Sequence, residues 1–114
     1  MADCVFCRIV AGDIPATVVR EDEETLAFRD LDPRAPLHVL VIPKRHIASV
    51  DEASAADAPL LGRLVTAAAE IARAEDVVAG GYRLVLNTGS DAGQSVAHIH
   101  LHLLAGRTLR WPPG

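Results

Sequence analysis

The sequence predicts an α+β fold: an antiparallel sheet of about five strands carrying one long helix, with one short helix at the start. Three observations lead to it. Residues 95–104, Ser-Val-Ala-His-Ile-His-Leu-His-Leu-Leu, alternate with a period of two, which in a strand puts His98, His100 and His102 on one face and Ile99, Leu101 and Leu103 in a core. Residues 37–42 are a β-branched apolar run ended by Pro43, the pattern of a central strand buried on both faces. Residues 54–75 repeat at helical spacing, with Leu60, Leu61, Leu64, Val65, Ala68, Ile71 and Ala72 on one stripe and Arg63, Glu70, Arg73 and Glu75 opposite.

The other elements follow in order. Residues 4–11 read as the short helix, closed by Gly12, with Val5, Phe6, Ile9 and Val10 as its buried side; Pro15 prevents continuation. Residues 17–20 and 25–29 flank the acidic run Glu21-Asp22-Glu23-Glu24 and form a hairpin whose turn is solvated. Prolines and Asx residues make 30–36 a loop. His38 lies inside the central strand, where a buried imidazole must find a partner. Lys44-Arg45-His46 opens the next loop, its basic side chains facing solvent or phosphate. Pro59 is tolerated only in a first turn, which sets the long helix to start near Asp57 as N-cap. Gly80-Gly81 precedes a fourth strand at 82–87, and the histidine-rich strand is the fifth. Trp111, between polar residues and two prolines, needs its own core or a partner subunit to bury against.

A chain of 114 residues is one domain, 1–114, with one modest core. No apolar run approaches the roughly 18 residues of a membrane span, so the protein is expected to be soluble. The start, Met1-Ala2-Asp3-Cys4, lacks the basic region and apolar stretch of a signal peptide, and the expected location is the cytoplasm. A net charge of −4 argues against nucleic acid as partner, because that affinity comes from many Lys and Arg contacts to phosphates. Aromatic residues make up 4% of the chain, too few for a base-stacking platform.

The chemistry concentrates in two places. Three histidines on one face, at about 6.6 Å spacing, could share a small ligand, as a zinc site or as a nucleophile with helpers; three surface histidines are the bland alternative. The polar, Gly-rich stretch from Asn87 to Ser95 feeds straight into them and supplies N–H, amide and hydroxyl donors suited to phosphate oxygens. Cys4-Val5-Phe6-Cys7 is half a zinc site, a redox dithiol, or two packed cysteines. No strand precedes the pair as in a thioredoxin-type motif, so zinc is the better reading, with His38 and His46 as the histidines outside the row.

His98-Ile99-His100-Leu101-His102-Leu103-Leu104 resembles the signature of the histidine-triad (HIT) family. The chain is similar to its nucleotide-binding HINT branch through Ile14-Pro15-Ala16, Leu26-Ala27-Phe28, Ala35-Pro36, His38, Val41-Ile42-Pro43-Lys44, Gly89-Ser90-Asp91, Gly93-Gln94-Ser95-Val96 and Trp111-Pro112-Pro113-Gly114. The resemblance implies a HIT-like fold, a homodimer whose sheets join, and hydrolysis of purine nucleoside 5′-phosphoramidates through a nucleotidyl-histidine. By position, His100 is the nucleophile, with His102, His38 and Ser95 in support. Gln94, Ser95 and the Gly93 backbone hold phosphate oxygens, with Asn87 and Val96 beside them. Asp30 takes the ribose, Val5, Phe6, Ile14, Phe28 and Leu31 enclose the base, and Trp111 reaches the partner's site. The Cys-x-x-Cys departs from the zinc-free members and is similar to bacterial ones, which implies structural zinc on Cys4, Cys7, His46 and His98. No metal is needed for the chemical step. Two other functions stay open: a nucleotide-binding regulator with little turnover, and a dinucleoside polyphosphate hydrolase.

Overall fold

A computed structural model describes residues 3–114. The chain runs α1 (Val5–Val10), β1 (Val18–Glu21), β2 (Thr25–Arg29), β3 (Leu37–Pro43), two 3-10 turns, α2 (Ala58–Ala74), β4 (Tyr82–Leu86) and β5 (Leu101–Ala105). The strands form one sheet in the order β1-β2-β3-β5-β4, antiparallel at every step. The fold class, the five strands and the long helix are those read from the sequence.

The period of two in β3 explains how the sheet serves two layers. Leu37, Val39 and Val41 face α2, together with Leu101, Leu103 and Ala105 of β5 and with Leu60, Leu64, Ala67, Ala68, Ile71 and Ala72 of the helix. The alanines let the helix axis approach the sheet. On the other face Leu40 and Ile42 join Leu26, Phe28 and Phe6 of α1 in a smaller cluster. With both faces covered, β3 is buried from end to end. The smaller cluster leaves part of its face open, and the candidate site occupies that opening.

Four expectations are corrected. The fifth strand is shorter than residues 95–104: the ladder begins at Leu101, paired with Val41 and Leu86. Upstream, His98 N–H donates to the Val96 carbonyl and Ile99 N–H to that of Ile47, so the segment bends and bonds to a loop instead of a strand. Apolar alternation survives the bend, since Ile99, Leu101 and Leu103 all reach the α2 core. In α1 only Phe6 is buried, Ile9 and Val10 are half-buried and Val5 is exposed, because a six-residue helix turns a single side chain fully inward. In α2, Val65 is exposed and Ala67 takes a core position. Asp57 does precede α2, but its carboxylate accepts from the backbone N–H of Ser54 and from Arg45, capping the preceding turn and not α2 itself.

Candidate active site and metal centre

The pocket lies on the open face of the sheet. A cavity of about 260 Å³ is lined by Val5, Phe6 and Ile9 of α1, Ile14, Pro15 and Ala16 after it, Phe28 to Leu31 from the end of β2, Leu40, Ser95, Val96, His100 and His102. Most of its lining is apolar, with Arg29, Asp30, Ser95, His100 and His102 as the polar members. Phe6 stands edge-on to Phe28, with ring centroids 5.6 Å apart, and edge-on to His100 at 5.1 Å.

Hydrogen bonds to carbonyls and backbone N–H groups fix which ring nitrogen carries the proton. His100 Nδ1 lies 2.8 Å from the His98 carbonyl oxygen, which can only accept. Nδ1 is therefore protonated, and in the neutral ring the lone pair is on Nε2. A second chain starts at the Arg34 backbone N–H, which donates to His38 Nδ1 at 3.0 Å. His38 must then carry its proton on Nε2, 2.9 Å from His102 Nδ1. His102 accepts there and, when neutral, holds its own proton on Nε2. Two adjacent rings, with centroids 5.0 Å apart, thus expose opposite functions, a lone pair on His100 and an N–H on His102.

Electrostatics reinforce the neutral forms. Burial first, then the neighbouring His100 and His38, lower His102 to about 4. Burial likewise pushes His38 below the ordinary imidazole value, against the pull of Asp30. The 3.4 Å approach of Asp30 Oδ2 to His38 Nε2 is accordingly not an ion pair at neutral pH.

The second constellation sits beside the first, where α1, the loop after β3 and the segment before β5 meet. The ligand atoms of Cys4, Cys7, His46 and His98 all lie within 4.8 Å of one another. Cys4 Sγ and Cys7 Sγ are 3.3 and 3.6 Å from His98 Nδ1, Cys7 Sγ is 3.3 Å from His46 Nδ1, and the two Nδ1 atoms are 3.2 Å apart. A tetrahedron with metal–sulfur bonds of about 2.3 Å and metal–nitrogen bonds of about 2.05 Å has edges near 3.6 Å for S–N and 3.3 Å for N–N. The donor set therefore fits a metal ion. His98 Nε2 donates to the Pro43 carbonyl at 2.8 Å, which leaves Nδ1 bare for ligation. Burial, followed by Cys4, pushes the Cys7 thiol up, so holding two thiolates here calls for a cation.

A HIT domain model matches residues 11–109. The chain belongs to the HIT family. It is 51% identical over 112 residues to an uncharacterized HIT-like protein of Synechococcus elongatus, covering 98% of this chain and 97% of the relative. Among solved structures, a HIT family hydrolase of Legionella pneumophila is similar at a TM-score of 0.96 and 53% identity, covering 98% of this chain and all of the other. A histidine triad protein of Clostridium difficile is similar at 0.94 and 41%, covering 96% of each chain.

Within this HIT fold the expected residues divide. His100, His102, Ser95, Val96, Val5, Phe6, Ile14, Phe28, Asp30 and Leu31 line one cavity, and His38 stands behind His102. The four expected metal ligands meet. Four residues lie elsewhere. Asn87 follows β4, outside the cavity lining. The Gly93 N–H is taken by the Ser90 carbonyl. Gln94 uses both amide hydrogens on the carbonyls of Ala48 and Val96, at 2.7 and 3.0 Å, while its oxygen accepts from Gly89 N–H. Gln94 therefore braces three loop segments. Trp111 is 78% exposed, with the Arg83 guanidinium 5.8 Å from its ring centre. Sequence reasoning missed Arg29 and Leu40 and gave Ile9, Pro15 and Ala16 no role in the site; Leu40 carried a signal, since it shares the His38 face of β3.

Proposed function

We propose that this chain is a HIT-family hydrolase of purine nucleoside 5′-phosphoramidates that works through a nucleotidyl-His100 intermediate and releases a nucleoside monophosphate. The observation that carries the reading is the opposed pair of tautomers in the pocket, a bare Nε2 on His100 next to an N–H on His102. His100 Nε2 attacks the α-phosphorus, and a P–Nε2 bond forms as the P–N bond to the leaving group breaks. The departing nitrogen takes a proton from water and leaves as the amine. The His102 N–H, backed by His38, bonds the phosphoryl oxygen on which negative charge builds. Water then adds to phosphorus and gives up a proton that neutralises the hydroxide left by the first step, the P–Nε2 bond breaks, and His100 is returned with its lone pair. The apolar walls from Val5 to Leu31 take the base, Asp30 the ribose hydroxyls, and Ser95 a phosphate oxygen.

Zinc is the metal proposed for Cys4, Cys7, His46 and His98. Four protein donors fill a tetrahedron, so the ion contributes cross-linking and not a site for substrate. A homodimer is proposed as well, formed through the β4 edge. That strand ends the sheet, exposes Tyr82 and Leu86, and has the Trp111 tail alongside through Arg83.

His100→Ala tests the reading. AMP binding should persist, while turnover of adenosine 5′-phosphoramidate should fall by about 10³-fold or more, because the covalent step is lost. Unchanged turnover would sink the mechanism, and absence of AMP binding to the wild type would sink the nucleotide assignment.

A further inference from the structure

None of the four metal-site side chains lines the pocket, yet three contacts join the centre to it. The carbonyl of His98, a ligand through its ring, is the acceptor that fixes the His100 proton on Nδ1. Phe6, between the two ligand cysteines, is edge-on to both His98, at 5.8 Å, and His100, at 5.1 Å. Cys7 also donates its N–H to Cys4 Sγ at 3.4 Å, so the start of α1 is organised around the sulfur. The helix itself has six residues and one buried side chain. Isolated helices of that length do not hold together in water. Besides Phe6 and the half-buried Ile9 and Val10, the pair of cysteines at its start, facing His46 and His98, ties α1 to the rest of the molecule.

We propose that filling the Cys4–Cys7–His46–His98 centre positions the nucleophile: it holds the His98 carbonyl that sets the His100 tautomer and seats Phe6 against the cavity, so that metal and nucleotide bind cooperatively. His98 and Phe6 are positioning residues in this scheme. The proposal rests on the pocket being the nucleotide site. Coupling between two sites is reciprocal, so whatever factor the metal adds to nucleotide affinity, the nucleotide adds to metal affinity.

The test uses AMP and cobalt(II), whose thiolate-ligated forms absorb in the visible. The protein should take up about one cobalt per chain, and Cys7→Ser should weaken that uptake. AMP should bind the loaded protein about tenfold more tightly than the chelated one, and saturating AMP should tighten cobalt by the same factor and shift its visible bands. Imidazole ¹H–¹⁵N correlations should show one tautomer for His100 with metal, protonated at Nδ1, and a mixture without it. A cobalt spectrum indifferent to bound AMP overturns the proposal. So do equal AMP affinities with and without metal, or a protein that binds AMP but no cobalt. If chelation unfolds the chain, the AMP titration of the cobalt-loaded protein decides alone. If AMP binds no form, the nucleotide assignment fails by itself, and the His100 tautomer with and without metal still decides the positioning role.

Discussion

At the scale of single residues, the site is a set of directed lone pairs. Each triad ring is oriented by a bond on the nitrogen it does not use: His98 by Pro43, His100 by the His98 carbonyl, His102 by His38. His102 bears a measurable consequence, because its folded pKa of about 4 lies below the ordinary 6.5. Between those values the unfolded chain binds a proton that the folded chain refuses. The contribution is therefore intact above about pH 6.5 and is lost as pH falls toward 4, by up to roughly 3 kcal/mol. His102→Asn keeps an acceptor for His38 and removes this titration. Urea midpoints at pH 7.5 and 4.5, with metal loading matched, should fall less for the variant than for the wild type. An equal fall in both would show that His102 keeps an ordinary pKa.

At the scale of elements, what was legible in the sequence was whatever repeats. The continuous apolar run at 37–42 and the helical repeat over 54–75 place two layers, and the alternation of Ile99, Leu101 and Leu103 fixes which side of the last strand is core. Irregular backbone was not legible. The bend before Leu101 is set by His98 N–H to Val96 and Ile99 N–H to Ile47, contacts between segments that no local pattern announces. That bend turns His98 away from the row and into the metal cluster, a division that resemblance implied and periodicity did not. Gln94 illustrates the same limit: its residue type suits phosphate, but tertiary contacts consume its donors. A carboxylate in its place would face two carbonyl oxygens with no hydrogen to give. Gln94→Glu should cost about 2 kcal/mol in denaturant unfolding. It should also weaken metal retention, since Ala48 lies two residues after His46. Wild-type stability in that variant would show that Gln94 does not brace the loops.

At the scale of the molecule, one question is why a pocket built inside one chain is followed by a tail that does not line it. Trp111 stays largely exposed in the single chain, with the Arg83 guanidinium near its ring. The other end of the sheet is protected: β1 is short and carries a register irregularity between Val18 and Arg20, which discourages pairing with another chain. β4 has no such device and presents five residues of free edge. Joining two copies there would extend the sheet across a two-fold axis, and the tail beside β4 would then project toward the partner's pocket. Light scattering should give twice the 12.1 kDa chain mass at micromolar concentration. In the proposed dimer, removing residues 110–114 should leave that mass unchanged, because the strand edge would make the contact, and should lower turnover of a phosphoramidate several-fold, because the partner's pocket would lose its Trp111 wall. A truncated protein that runs as a monomer would move the dimer contact from β4 to the tail. Full turnover in a truncated dimer would remove Trp111 from the site.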